Sequence, residues 1–183
     1  YRLGAPDNVG VITGRLLIPT NATVRITGPL WIQGIGGSAL EVSGNPRFEH
    51  DPTDDETESV IVLDGRATFS GNALFTADGA DHETMLLMTT YPGTPSPGTT
   101  AVALNANTRF IDTAVFAPNG DITIGRSASG VSVTSLTAQR LFIDSNAHVT
   151  YATGLLSADF SGSAGPRGGA YTLSPGTYAE LNP

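Results

Sequence analysis

Two stretches hold most of the oxygen ligands that this chain could offer a cation. Glu49-His50-Asp51-Pro52-Thr53-Asp54-Asp55-Glu56-Thr57-Glu58 and Thr76-Ala77-Asp78-Gly79-Ala80-Asp81-His82-Glu83 carry nine of the 17 acidic residues and two of the three histidines. Carboxylates at this density suit Ca2+, a hard cation that takes about six to eight oxygens in flexible geometry. Asp51, Asp54, Asp55, Glu56, Asp78 and Asp81 are the candidate ligands, and Ca2+ is the one candidate cofactor. The spacing matches neither the EF-hand loop nor the nonapeptide calcium repeat. Solvated loops that keep a sheet-rich surface soluble would use the same residues. Zinc through His50 and His82 would lack the close histidine spacing of zinc sites.

Catalysis on an acidic polysaccharide would need carboxylates beside a basic group on an exposed strand face. Arg25, Arg47 and Arg109 are placed to line such a face. Asp, His and Arg do not recur in a convergent spacing, however, and no G-x-S-x-G nucleophile motif is present. The chain therefore reads as non-enzymatic, with a carbohydrate-binding or polysaccharide-degrading protein as the alternative. Trp31 and Tyr91 could stack on a sugar ring, although single aromatics on a strand and a loop more often pack.

The 183 residues suffice for one domain with a substantial core. All nine basic residues are arginine, and the net charge of −8 opposes a phosphate-tracking surface, so nucleic acid is excluded as an expected partner. No cysteine is present, which removes disulfides and thiolate metal sites. No apolar run is long enough to span a bilayer, so direct membrane insertion by this segment is not expected. The chain begins at Tyr1 rather than Met, which fits an ectodomain whose anchor lies upstream.

The elements that must position these loops come from a recurring phrase: apolar, any, apolar, a polar corner, then one inward apolar residue. Leu16-Leu17-Ile18 leads to Asn21 and Val24, Leu40-Glu41-Val42 to Asn45 and Phe48, and Ala67-Thr68-Phe69 to Asn72 and Phe75. Val102-Ala103-Leu104 leads to Asn107 and Phe110, and Leu141-Phe142-Ile143 to Asn146 and Val149. Ile122-Thr123-Ile124 opens a looser copy with its corner at 125–130. Units that cannot bury their own apolar face but can stack on copies of themselves make a solenoid.

Successive openings lie 24, 27, 35, 20 and 19 residues apart. The shortest repeat holds three strands of roughly four residues and three corners. The strands are A (the opening), B (after the Asn corner) and C, the last supplied by segments such as Leu30-Trp31-Ile32 and Met85-Leu86-Leu87-Met88. Alternation in A and B buries one face; Gly and Pro punctuation with Val, Ile, Thr and Phe in the strands argues against helix. The fold class is all-β, a right-handed three-sided parallel β-helix of about six coils, its hand following the rule for parallel crossovers. It forms one domain, 1–183: an N-terminal cap at 1–15, coils at 16–151, and a C-terminal cap or tail at 152–183. The Asn residues should form a column, suited by tolerance of positive φ and by side-chain bonds to local backbone. Val24, Phe48, Phe75, Phe110 and Val149 should share one interior column.

Several passages resemble the β-solenoid domain of PilX-like minor pilins and related pilus-assembly proteins. They are Gly28-Pro29-Leu30-Trp31-Ile32-Gln33-Gly34, Val60-Ile61-Val62-Leu63-Asp64-Gly65, the stretch from Thr113 to Ile124 with its Phe116-Ala117-Pro118-Asn119-Gly120 turn, Ala147-His148-Val149-Thr150-Tyr151, and Pro175-Gly176-Thr177-Tyr178-Ala179-Glu180. The resemblance implies an extracellular or cell-surface module, pilus or envelope associated, that presents corner loops for adhesion or assembly. Its partners would be other pilus or envelope proteins, or a surface ligand such as a glycan. Bactofilins are a second resemblance, sharing the three-sided coil; they imply an end-to-end polymerising scaffold, but as a rule lack large corner loops.

Overall fold

The computed structural model describes residues 1–4, 9–19, 21–50, 59–77, 84–92, 100–125, 127–128, 130–144 and 146–151. These residues contain no helix. Their strands are β1 (Arg2–Leu3), β2 (Gly10–Ile12), β3 (Leu16–Ile18), β4 (Thr23–Ile26), β5 (Leu30–Ile32), β6 (Ser38–Val42), β7 (Arg47–His50), β8 (Val60–Leu63) and β9 (Arg66–Phe69). There follow β10 (Leu74–Thr76), β11 (Met85–Thr89), β12 (Thr100–Leu104), β13 (Arg109–Ile111), β14 (Thr113–Ile124), β15 (Val131–Val133), β16 (Ser135–Ile143) and β17 (Val149–Tyr151).

Every strand pair is parallel, and each strand bonds to its equivalent one coil away. The B strands form a seven-stranded sheet in the order β1-β4-β7-β10-β13-β15-β17. The C and A rows join into one ten-stranded sheet because β14 and β16 run through the C-to-A corner without a break. The result is a parallel β-solenoid of about five turns. Six A-type rows bound five complete turns, so the expected six coils describe the same stack. Segment 1–15, expected as a cap, contributes β1 and β2, which pair in register with β4 and β5.

Alternation sets the faces. In β4 and β7 the even positions Val24, Ile26, Phe48 and His50 are buried while Thr23, Arg25 and Arg47 are exposed. The C strands, whose apolar runs leave the register open in the sequence, turn Ile61, Leu87 and Val115 inward. Val62, Met88 and Phe116 then line up outside with Trp31 in a half-buried apolar column on the C face, which ends at the exposed Val11.

Phe48, Phe75 and Phe110 touch as the repeat requires. Phe48 and Phe75 stack with centroids 4.1 Å apart and Phe75 and Phe110 at 5.0 Å. Phe69, from the A row, meets Phe75 and Phe110 edge-on at 5.6 and 5.8 Å. Val149 does not extend this column: it pairs with Val131, and Tyr151 with Val133. Ser132 stands over Arg109, so Val133 continues the phenylalanine row. The corner after Ile143 contains two more residues than the corner after Leu104, which a fixed count along the phrase could not detect.

The asparagine column exists, for a narrower reason than expected. Asn21 Oδ1 accepts from the Asn45 amide (3.0 Å) and from Asn45 Nδ2 (3.2 Å), Asn72 Nδ2 donates to Asn45 Oδ1 (3.1 Å), and the Asn107 amide donates to Asn72 Oδ1 (3.3 Å). In the loose copy Gly130 takes the next place, its amide donating to Asn107 Oδ1 at 2.9 Å. Asn146 lies a coil beyond that interruption. None of these asparagines has positive φ; among the described residues Asp112, at 48°, is the one non-glycine that does. Coil-to-coil bonding by the side chain, rather than backbone tolerance, accounts for Asn here.

Candidate functional site

The B-to-C corner varies widely along the stack. In coil four it is the single residue Asp112, whose left-handed φ of 48° makes the turn between β13 and β14. In the next coil it is Thr134, whose Oγ1 donates to the Phe110 carbonyl at 3.3 Å. In coils two and three the same corner carries the acidic loops. Asp51, Asp54, Asp55, Glu56, Asp78 and Asp81, together with His82, lie outside the described residues. Their anchor points do not: Glu49 pairs with Thr76 where the loops leave, and Val60 with Leu86 where they return. Both loops therefore start and finish one rung apart, as the stacking of adjacent coils requires. Among the described residues no group of three or more His, Cys, Asp or Glu side chains converges.

His50 and Ser59 close the neck of the first loop. His50 Nδ1 lies 2.6 Å from Ser59 Oγ, and that hydroxyl reaches the Ile26 carbonyl at 3.4 Å. The pair has the spacing of a base and a nucleophile, but Ser59 is 1% exposed and His50 4%. Buried to this extent, it is a clasp that holds the ends of β7 and β8 together. The sequence offered one signal for it: a polar residue at each foot of an acidic insertion.

The two aromatics considered for sugar stacking are both engaged. Trp31 Nε1 donates to Asp64 Oδ2 at 2.7 Å, and Asp64 Oδ1 accepts from Thr90 at 2.8 Å, a bridge over three rungs with Asp64 at its centre. Tyr91 packs on the core and faces Gly37, in a turn where Gly34, Gly36 and Gly37 all have positive φ. At the C-to-A bend of β14 and β16, Arg140 makes a two-pronged ion pair with Asp121 at 2.9 and 2.8 Å. The hydrogen bonds it donates to Asp121, and the charge of that carboxylate, hold the guanidinium above its ordinary pKa.

Arg25, Arg47 and Arg109 do line the outer B face. Arg2, which no repeat marks in the sequence, joins them through the Arg2–Arg25 pairing. Glu49 sits between Arg47 Nε, at 2.8 Å, and Arg25 Nε, at 3.8 Å. Arg109 makes no ion pair among the described residues. At the far end of the A row, Leu141 and Ile143 occupy inward positions above Ile122 and Ile124, yet are 41% and 52% exposed; theirs is the last rung of that row among the described residues.

Comparison with protein-family models, with curated proteins and with solved structures returns no match.

Proposed function

We propose that this chain is a non-enzymatic structural and adhesive module of a pilus-associated or cell-envelope protein, exposed outside the cell and presenting its corner loops to partner proteins or a surface ligand. The observation that supports this reading is the anchoring of the two acidic loops on neighbouring rungs of one rigid stack. A solenoid whose register is fixed by ladders of Phe and Asn holds such loops in constant relative position at little cost to its core. The buried state of Ser59 favours a structural over a catalytic role for the one serine–histidine contact described. Antibodies raised to the folded domain test the location: intact cells of the source organism should stain without permeabilisation and lose the signal after protease shaving. Staining confined to permeabilised cells overturns the surface reading.

Ca2+ belongs to the same proposal as the ion that Asp51, Asp54, Asp55, Glu56, Asp78 and Asp81 would bind. A ligand bound by the native state alone adds about 2.7 kcal/mol at 100 times its dissociation constant. Thermal melting in millimolar Ca2+ should therefore give a clearly higher Tm than melting in chelator, and simultaneous replacement of Asp54 and Asp55 by Asn should remove the difference. Identical curves for the native chain retire the ion.

A further inference from the structure

The asparagine ladder has a direction, and its first member differs from the rest. The Nδ2 groups of Asn45 and Asn72 each donate to the preceding coil, at 3.2 and 3.1 Å. Asn21 stands where that run ends. Its Oδ1 accepts from both the Asn45 amide and Asn45 Nδ2, while its own Nδ2 has no partner among the described residues. The residue is exposed, at the corner between β3 and β4. Two places after each ladder asparagine comes the first residue of a B strand, pointing outward: Thr23, Arg47, Leu74 and Arg109. Among these Thr23 alone carries a hydroxyl, and it too is exposed. Of the nine asparagines in the chain, Asn21 is thus the one that begins an Asn-x-Ser/Thr triplet, Asn21-Ala22-Thr23, with no proline in the middle place. That triplet is the acceptor pattern for N-linked glycosylation. So short a pattern recurs by chance, but here it coincides with the end of the ladder, where the amide nitrogen is left without a bond.

We infer that Asn21 is a glycosylation site, its Nδ2 taking the sugar from a lipid-linked oligosaccharide phosphate on a membrane transferase that also reads the Thr23 hydroxyl. The nitrogen attacks the anomeric carbon of the donor. A C–N bond forms as the bond from that carbon to the phosphate oxygen breaks, the lipid phosphate leaves with the electron pair, and the amide gives up one proton. The product keeps Oδ1 and one N–H, so both bonds from Asn45 survive. At Asn45 and Asn72 the same nitrogen already bonds the neighbouring coil, and an added ring would crowd that corner. The corner holds four residues in each of the first four copies, 19–22, 43–46, 70–73 and 105–108, at the opposite end of the B strands from the acidic loops. The attachment point is therefore separate from the loops to which a partner is assigned above. This inference rests on exposure of the chain outside the cell, because the transfer takes place on the non-cytoplasmic side of a membrane.

The experiment captures the whole chain by antibody from cells of the source organism and digests it with trypsin. The chain has no lysine, so cleavage after Arg15 and Arg25 isolates Asn21 in the peptide from Leu16 to Arg25. Mass spectrometry should find that peptide carrying sugar, and enzymatic release of the glycan in heavy-oxygen water should convert Asn21 to labelled aspartate. Asn21→Gln and Thr23→Val, expressed in the same cells, should lose the glycan, and Thr23→Ser should keep it. Thr23→Val leaves a β-branched residue at an outward strand position, so its far-ultraviolet dichroism should match that of the native chain, and its loss of sugar is not a loss of fold. A bare peptide from cells whose surface stains for the chain overturns the site and leaves the surface reading standing. A bare peptide from a chain stained only in permeabilised cells overturns both. A glycan that persists in Thr23→Val, or that maps elsewhere while Asn21 is bare, also overturns the assignment.

Discussion

Replacing Phe75 by alanine should destabilise the protein by about 4 kcal/mol, in the range for buried aromatic truncation. Phe75 is fully buried and central to the cluster, stacked between Phe48 and Phe110 with Phe69 at its edge. Its removal takes away three ring contacts and leaves a cavity that neighbours on a hydrogen-bonded rung cannot fill by moving inward. Because each coil contacts only its neighbours, the loss falls on the interfaces between coils two, three and four. Trp31, the one tryptophan, reports on coil one. Urea titration of Phe75→Ala followed by Trp fluorescence and by far-ultraviolet dichroism should give separated midpoints, where the native chain gives one. Phe75→Leu should cost less, about 1.5 kcal/mol. A Phe75→Ala midpoint equal to the native one would mean that the ring column contributes nothing to the stack.

Gly71→Ala should cost about 3 kcal/mol through backbone crowding. A Cβ at Gly71 would fall on the carbonyl of Gly44 one rung below, with the Gly44 amide also too close. Neither partner is a side chain that can swing away. Separation of the two corners would also stretch the Asn72 to Asn45 bond and the Ser70 amide to Val42 carbonyl bond. Gly36→Ala is the informative contrast. Gly36 has a φ of 63° and nothing within 4 Å of the added methyl, so only left-handed strain opposes it, about 1 kcal/mol. Thermal melts of the two variants should rank Gly71→Ala well below Gly36→Ala. The reverse order would show that the two corners part at Gly71 for less than the left-handed strain at Gly36.

The stack was legible in the chain because two independent signals coincide in each copy. Period-two alternation gives the buried face, and Asn at the corner gives the phase, so Phe48, Phe75 and Phe110 could be aligned without coordinates. Alignment failed where the phase marker is lost. The 125–130 corner has no asparagine in the ladder position, and beyond it Val149 was set two residues from its true row. The place of Arg2 on the outer B face is not legible, because a two-residue strand at the start of the chain is too short to show any period. The contacts of Asp64 and Ser59 are hidden in the sequence for another reason: their bonds run across coils 26 to 33 residues apart, and spacing alone says nothing about which polar atoms meet. The acidic loops announced their composition and their feet, but a carboxylate count contains no ligand geometry.

The B-to-C corner is turned by Asp112 alone in coil four, whereas the same corner in coil two separates His50 from Ser59 by eight residues. Rungs on either side keep their register in both cases. Closing a longer excursion costs only about 0.6 kcal/mol for each doubling of its length, and the clasp at its foot shields the hydrophobic interior from whatever is spliced in. This edge of the molecule is consequently a permissive graft line. Foreign peptides inserted in place of 51–58 or 78–83, or between Ile111 and Thr113, would be carried in tandem at rung spacing, without redesign of the body that bears them.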